Sequence, residues 1–495
     1  MNIFASAFVI SFLVLAVGFL TQKILIKREI KWSFPSIYNQ NVKDNELELS
    51  SPTQELLYSK VLLYTSAVGI IGGLVATAYY FVLEHFLELV WEIGKHYFTG
   101  IFPDWFPAWN YTWIVSTIGG FGVGLCLYFF GQPGEMAKVI EKIHDPGRLE
   151  PSQTPGMIAT SLVSITAGGS LGPEAPLVQI NGSLGSWIAD KLNLSLKETR
   201  VLTFCGMGAA LAAFFGDPVG GPLFALEIPH RRGIQYYEAI IPAVVAGIFS
   251  FGVFRFGTGL EIGGIYRFDY FDSIPALSWL NLLEAGFLGI VGGLAGILFI
   301  GIFRLTELAI QPIENRHIWR AILGGLGIGW LAVLYPQTLF FSEQQIETQL
   351  IEPATTLTVV TLLGICLAKM MAISFTIHGG FRGGFIFPLF FTGASLGLAI
   401  SFLIPAVHPT IAMLCCMAAI NVSITKTPIS TSIILSVLSD TSIIPMIAIA
   451  SFTSFILTSN IGLLRTQRPR KQVEHPQCLI KTALYEQEVS LIDNG

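Results

Sequence analysis

Two glycine-broken segments hold the residues whose types and spacing could do chemistry. The first runs from Ala167 to Gly185 as AGGSLGPEAPLVQINGSLG, and the second from Gly379 to Pro388 as GGFRGGFIFP. In the first, the glycines let the backbone take a tight, left-handed turn. Pro173 suits the opening turn of the helix that follows, where its missing N–H leaves nothing unpaired. A helix N-terminus offers unpaired N–H groups and a partial positive charge, which together attract an anion. Glu174 falls in that first turn with no cation near it in sequence. Its carboxylate can occupy the anion's place itself and leave it when protonated or displaced. As a plain dipole-stabilising residue it would contribute under ~1 kcal/mol if exposed. In the second segment the N–H groups of Phe385 and Ile386 are expected to converge on the same anion, and Arg382 adds a full positive charge just before them. Arg382 either draws anions in or pairs with a carboxylate or a lipid phosphate.

The elements that must position these segments are apolar. The chain has 495 residues, 52% of them hydrophobic and only 12% charged, with a mean hydropathy of +0.64. Soluble domains carry about 25% charged residues, so a water-soluble fold of this size is excluded. Apolar runs recur near the ~20 residues that span a bilayer, and the pattern predicts an all-α polytopic membrane protein. An ionisable group in a membrane interior is costly, which favours the functional reading of Glu174. Candidate helices cover 60–95, 112–130, 155–168, 173–190, 199–215, 219–230, 236–256, 278–309, 317–335, 355–377, 385–404, 409–421, 428–439 and 443–460. Several are broken by Gly or Pro, as at Gly168-Gly169, Gly172-Pro173, Asp217-Pro218 and Gly383-Gly384. At membrane depth such breaks are tolerated only where the backbone is buried in protein or lines a cavity. Paired interrupted segments at matching places of two halves point to a site at a repeat interface.

The expected organisation follows. Residues 1–32 read as an extra N-terminal transmembrane anchor, with Lys23, Lys27, Arg28 and Lys31 after its apolar run placing that end in the cytoplasm. Residues 33–56 read as a polar cytoplasmic linker, 57–464 as the membrane domain with halves at about 60–260 and 275–464, and 465–495 as a short cytoplasmic tail without a nucleotide-binding regulatory domain. Lys138, Lys142 and Arg148, and also His230, Arg231 and Arg232, mark further cytoplasmic loops.

Other classes are disfavoured. The net charge of −5 comes without any basic domain, against nucleic-acid binding. No G-x-x-x-x-G-K-[ST] loop is present for nucleotide hydrolysis. The six cysteines show no C-x-x-C and the eight histidines no His-x-x-x-His, so no metal or other cofactor is expected and an intramembrane enzyme is the remote alternative.

The two segments resemble the signature motifs of the CLC family of chloride channels and proton/chloride exchangers. The family's G-K/R-E-G-P corresponds to Gly172-Pro173-Glu174-Ala175-Pro176, and its G-x-F-x-P to Gly384-Phe385-Ile386-Phe387-Pro388. The stretches GDPVGGPLFALE at 216–227 and KTPISTSIILSVLSD at 426–440 match in kind, so the resemblance covers most of 60–464. It implies a CLC-like inverted-repeat fold with broken helices meeting at mid-membrane, and a homodimer with one anion pathway per subunit. It further implies Glu174 as the gate and Gly172, Pro173, Ala175, Gly384, Phe385 and Ile386 around the anion. The expected function is chloride transport across the cell membrane of a prokaryote, channel-like or weakly proton-coupled. The alternatives are a strict proton/chloride antiporter and selectivity for fluoride, nitrate or bicarbonate.

The sequence also departs from the family. The first motif, G-S-G-I-P, stands here as Gly131-Gln132-Pro133-Gly134-Glu135, so Gln132 or backbone N–H groups near Gly134 would have to replace the serine hydroxyl. The basic residue of the second motif is Pro173, its second glycine is Ala175, and the later phenylalanine is Ile386. The pore tyrosine expected at 460–466 is missing from NIGLLRT. The inner proton-transfer glutamate aligns with Ile228, with Glu227 one residue earlier and about 100° around the helix. Glu227 is therefore a candidate proton path, against the plainer reading of an ion pair with Arg231 four residues on. Asp217 is expected to cap a helix, and Lys369, inside an apolar run, either to snorkel to an interface or to serve the function.

Overall fold

The computed structural model describes residues 61–101, 107–134, 136–260, 271, 277–343, 345–439, 441–464 and 466–467. The expected anchor, the linker and all of the tail but 466–467 lie outside the described residues. Apart from one isolated bridge, the described chain is helices, turns and irregular segments. The helices are α1 (Val61–Leu87), α2 (Lys95–Ile101), α3 (Asn110–Phe130), α4 (Met136–His144), α5 (Thr154–Thr166), α6 (Glu174–Lys191), α7 (Leu196–Phe215), α8 (Gly220–Glu227) and α9 (Ile240–Thr258). After them come α10 (Trp279–Ile310), α11 (His317–Leu334), α12 (Val359–His378), α13 (Ile386–Leu403), α14 (Pro409–Thr425), α15 (Pro428–Leu438) and α16 (Ile444–Thr458). A π-helical turn at Glu88–Gly94 joins α1 to α2.

The element ends follow from local chemistry. Proline stands in the first turn of α5, α14 and α15, where no N–H is needed. A capping box of Ser195 and Glu198 starts α7, and left-handed Gly216 and Gly259 end α7 and α9. Helix α4 is absent from the sequence-based helices because it is amphipathic rather than apolar: Val139, Ile140 and Ile143 are buried, while Lys142 and His144 fall in its last turn.

Nine helical spans among the described residues are long and apolar enough to cross a membrane, so the protein is a multi-pass membrane protein. They differ in how deeply they sit within the protein. The apolar windows of α7 and α13 are 89% buried within the protein and that of α12 56%, whereas those of α1, α3, α9, α10, α11 and α16 are 33–39% buried and lie at its periphery. The packing partners repeat along the chain. Helix α1 packs on α9 and α7 as α10 packs on α16 and α14, and α6 packs on α7 as α13 packs on α14. The seam between α3 and α11 is close enough that a Cβ at Gly325 would lie 2.2 Å from Ser116 O, and one at Gly120 2.4 Å from Ala321 O. Small residues of this kind let membrane helices approach to backbone contact. This arrangement brings the starts of α6 and α13, both buried and neither capped by its own N-cap side chain, to face each other inside the protein.

Candidate functional site

The two helix starts are tied by the isolated bridge. Gly172 N–H donates to Gly384 O and Gly384 N–H to Gly172 O, each at 2.8 Å. Each glycine stands two residues before a helix, so the bridge fixes the N-terminus of α6 beside that of α13. Glu174 is fully buried at this junction, and its Oε1 accepts the Ile386 N–H at 3.0 Å. A carboxylate from α6 thus sits on the N-terminus of α13, the place where unpaired N–H groups and the helix dipole favour negative charge. Its Oε2 is buried and makes no hydrogen bond.

Glycine makes the slot. A Cβ at Gly384 would fall 2.3 Å from Glu174 Cδ, and one at Gly172 would fall 2.1 Å from Glu174 Oε2. No side chain larger than hydrogen fits at either position while the carboxylate is in place.

Cavities approach the slot from both directions. Pro173 lines a cavity of about 330 Å³ on the α1 side, with Tyr79, Phe214 and Phe341 and with the carboxylates of Glu84, Glu88, Glu92 and Glu343. Ala175 lines a smaller cavity on the α4 side, with Gly134, Arg382, Gly383 and Phe385. That one adjoins a wider space of about 410 Å³, which shares Met136, Ile377 and Phe385 and carries Glu307, Glu314, Arg320 and His378. The residues on either side of Glu174 in the chain thus line different cavities, Pro173 the α1-side one and Ala175 the α4-side one.

The structure gathers Gly172, Pro173, Glu174, Ala175, Gly384, Phe385 and Ile386 at this junction. Arg382 is buried, with its backbone N–H donating to Ser164 Oγ at 2.9 Å and its side chain on the α4-side cavity. Of the two expected substitutes in the first motif, Gly134 lines that cavity. Gln132 does not turn inward: it follows the left-handed Gly131, is exposed, and places Nε2 3.4 Å from His317 Nδ1. One residue was missed by sequence reasoning. Gln179 is fully buried on α6, neither amide atom has a hydrogen-bond partner, and its Oε1 lies 3.2 Å from where a Cβ on Gly134 would be. A glutamine five residues after Glu174 in an apolar helix was the available signal.

Glu227 lies elsewhere, at the end of α8. Its Oε1 accepts the Ile429 N–H at 3.2 Å, and its Oε2 accepts the Ser430 N–H at 2.9 Å and the Ser430 hydroxyl at 2.6 Å. The sequence suggested Arg231 as partner. The start of α15 takes that role instead, because its orphan N–H groups need an acceptor and α8 ends directly on them. Asp217 caps α8, with Oδ1 accepting from the Val219 and Gly220 N–H groups at 2.9 and 2.8 Å. Lys369 does not snorkel: it is fully buried, and its Nζ donates to carbonyls of residues 337–340.

Comparison with known proteins gives the family and the fold. The family model described as voltage gated chloride channel matches residues 119–459. A chloride/fluoride channel protein of Pseudomonas syringae pv. tomato is 27% identical over 382 residues, covering 75% of this chain and 82% of its own length. A putative ion-transport protein, YfeO, of Escherichia fergusonii is 24% identical over 376 residues, covering 73% of this chain and 86% of its own. Among solved structures, a CLC-type fluoride/proton antiporter superposes with a TM-score of 0.69 at 20% identity, covering 82% of this chain and 97% of that one. A slow cyanobacterial Cl⁻/H⁺ antiporter gives 0.68 at 20% identity, with 81% and 96% covered. The helix arrangement is therefore the CLC inverted-repeat fold, with broken helices meeting inside the protein.

Proposed function

The chain belongs to the voltage gated chloride channel family, and on that premise we propose that it carries chloride across the membrane along a pathway gated by Glu174. The observation that carries this reading is the hydrogen bond from Ile386 N–H to Glu174 Oε1. The carboxylate holds the position a small anion would take on the N-terminus of α13. When it is protonated or displaced, the N–H groups of Phe385 and Ile386 are left for the anion, and the α1-side and α4-side cavities join. Gly172, Pro173, Ala175 and Gly384 supply the backbone walls of that passage, and Arg382 and Gly134 lie on its α4 side. Gln132, exposed and facing His317, is given no part in it.

Proton coupling is weak or absent in this reading. Glu227, the candidate proton path, is held by three donors at the start of α15, a structural duty that opposes the motion a carrier needs. The protein would act as a homodimer in the cell membrane of a prokaryote, without cofactor and without chemistry on the anion. A second reading, fluoride as the transported ion, is favoured by the names of the chloride/fluoride channel relative and the fluoride/proton antiporter structure. Backbone N–H coordination serves either halide.

The test is anion efflux from liposomes holding the purified protein, with external pH recorded at the same time, for chloride and for fluoride. Chloride efflux that changes in Glu174→Gln and carries no fixed proton ratio supports the reading. Protons moving against their gradient in a fixed ratio would replace it with an antiporter, and faster fluoride efflux would replace the ion.

A further inference from the structure

Lys369 lies in the middle of α12, inside the membrane domain, and has no exposed surface. Its Nζ donates to Gln337 O at 3.3 Å, Thr338 O at 3.1 Å, Leu339 O at 3.2 Å, Phe340 O at 2.9 Å and Ser342 Oγ at 2.5 Å. It also lies 5.2 Å from the centre of the Phe391 ring of α13. These five acceptor oxygens outnumber the three N–H bonds of the ammonium, so the group is enclosed by acceptors and offers nothing to a passing anion. A direct role in binding the transported ion is thereby excluded, and a role through the 337–342 turn is left.

That turn needs holding. Phe340 and Ser342 both have positive φ, 58° and 66°, a region that side-chain-bearing residues avoid unless the surroundings impose it. Four successive carbonyls pointing at one amine impose it. The turn reaches the first glycine-broken segment and the end of α5 before it: Phe340 N–H approaches Gly168 O at 3.4 Å, and the Phe340 ring packs edge-on against Trp91, whose indole N–H donates to Thr166 O at 2.8 Å. The next residue, Phe341, has its Cβ 3.0 Å from where a Cβ on Gly172 would be, the same point that lies 2.1 Å from Glu174 Oε2. Phe341 also faces Phe214, which packs against Phe387 in the first turn of α13. Phe341 is thus a wall of the slot on the α1 side.

We propose that Lys369 is a positioning residue for the gate: by gathering the carbonyls of the 337–340 turn it holds Phe341 against the slot in which the Glu174 carboxylate lies. The proposal rests on the reading of Glu174 as the gate. With Phe341 in place, the carboxylate lies between Gly172 and Gly384 with the Phe341 side chain closing the space beside Gly172. With the turn released, the carboxylate gains a way out on the α1 side without first being protonated. The charged groups that face the turn are Glu343 on the turn itself, Glu84, Glu88 and Glu92 from α1 and its π-helical extension, and Arg255 of α9, which lies within electrostatic reach of Glu343. These remain in every variant below, so a change in the pH profile reports on Glu174's confinement.

The experiment measures chloride efflux from liposomes against external pH for the full chain and for Lys369→Met, Ser342→Ala, Phe341→Ala and Glu174→Gln. Lys369→Met and Phe341→Ala should each change the efflux rate by about tenfold, as expected when a positioned group is freed to move. Both should flatten the profile towards that of Glu174→Gln, and the double variant Lys369→Met/Phe341→Ala should go no further than Phe341→Ala alone. Ser342→Ala, which removes one acceptor and keeps the rest, should shift the profile in the same direction by about twofold, a fraction of the full effect. A native profile in Lys369→Met overturns the proposal; should that variant not fold, a native profile in Ser342→Ala does so. If Glu174→Gln itself leaves efflux and its pH dependence native, the gate reading fails and takes the positioning role with it. A native Lys369→Met beside an altered Glu174→Gln removes the positioning role alone.

Discussion

Two glutamates of the first half sit on helix N-termini of the second, and they sit differently. Glu174 rests on α13 through a hydrogen bond to one of its oxygens, with its second oxygen unpartnered and a cavity lined by the residue on either side of it. Glu227 rests on α15 through three, with both oxygens occupied. Both are buried, and both use a helix start as the counter-charge. The difference lies in what each would give up by moving. Glu174 would leave a vacant N-terminus that an anion can fill from a neighbouring cavity, whereas Glu227 would strip the cap from α15. On the proposed reading the same device, a carboxylate on a helix N-terminus, serves as a removable plug in one place and a fixed fastening in the other.

This contrast can be broken experimentally, starting with the largest effect. Glu174→Gln removes the charge but keeps the shape, and should change chloride efflux by about tenfold or more, the range in which loss of one positioned group is felt. The sign of the native pH dependence follows: protonation removes the competing charge, so native efflux should rise as external pH falls, while Glu174→Gln should be flat. Proteoliposome efflux across acid and neutral pH checks both. Gly384→Ala should come next. Its Cβ would overlap the seated carboxylate by contact at 2.3 Å, so this variant should lose the pH dependence while keeping Glu174 itself.

Glu227→Gln should reverse the pattern. Removing charge-assisted hydrogen bonds to a helix start should lower stability by about 1–2 kcal/mol, read as a lower melting temperature in detergent, with chloride efflux close to native. A large loss of efflux with unchanged melting would make Glu227 part of the transport path and erase the distinction. Gln179→Leu should have the smallest effect. It replaces an unpartnered buried amide near Gly134 with an apolar group of similar size, so stability should hold or rise by under ~1 kcal/mol while efflux falls only if that amide meets the anion.

How far these features were legible in the sequence depended on whether the signal was local. Glu174 stood out because an acidic residue between prolines and glycines is out of place in an apolar chain, and most spans were visible as runs of apolar residues. Helix α4 was not, since its two faces average to a polar stretch. The partners were hidden for a different reason. Ile386 lies 212 residues from Glu174, and Ser430 lies 203 from Glu227, and no local rule reaches that far. For Glu227 the four-residue rule pointed at Arg231, and the demand of α15 for acceptors overrode it. Lys369 looked like a residue seeking the membrane surface because its partners are main-chain carbonyls, which carry no sequence signature.

The most direct test of the central claim is a binding measurement. If the Glu174 carboxylate occupies the anion's place on α13, chloride titrated calorimetrically into the detergent-solubilised protein should bind more tightly to Glu174→Gln than to the native chain at neutral pH, and the difference should shrink as the pH is lowered. Equal chloride affinity of the two proteins across that range would mean that carboxylate and anion do not compete for the site, and the account of Glu174 as the gate would be wrong.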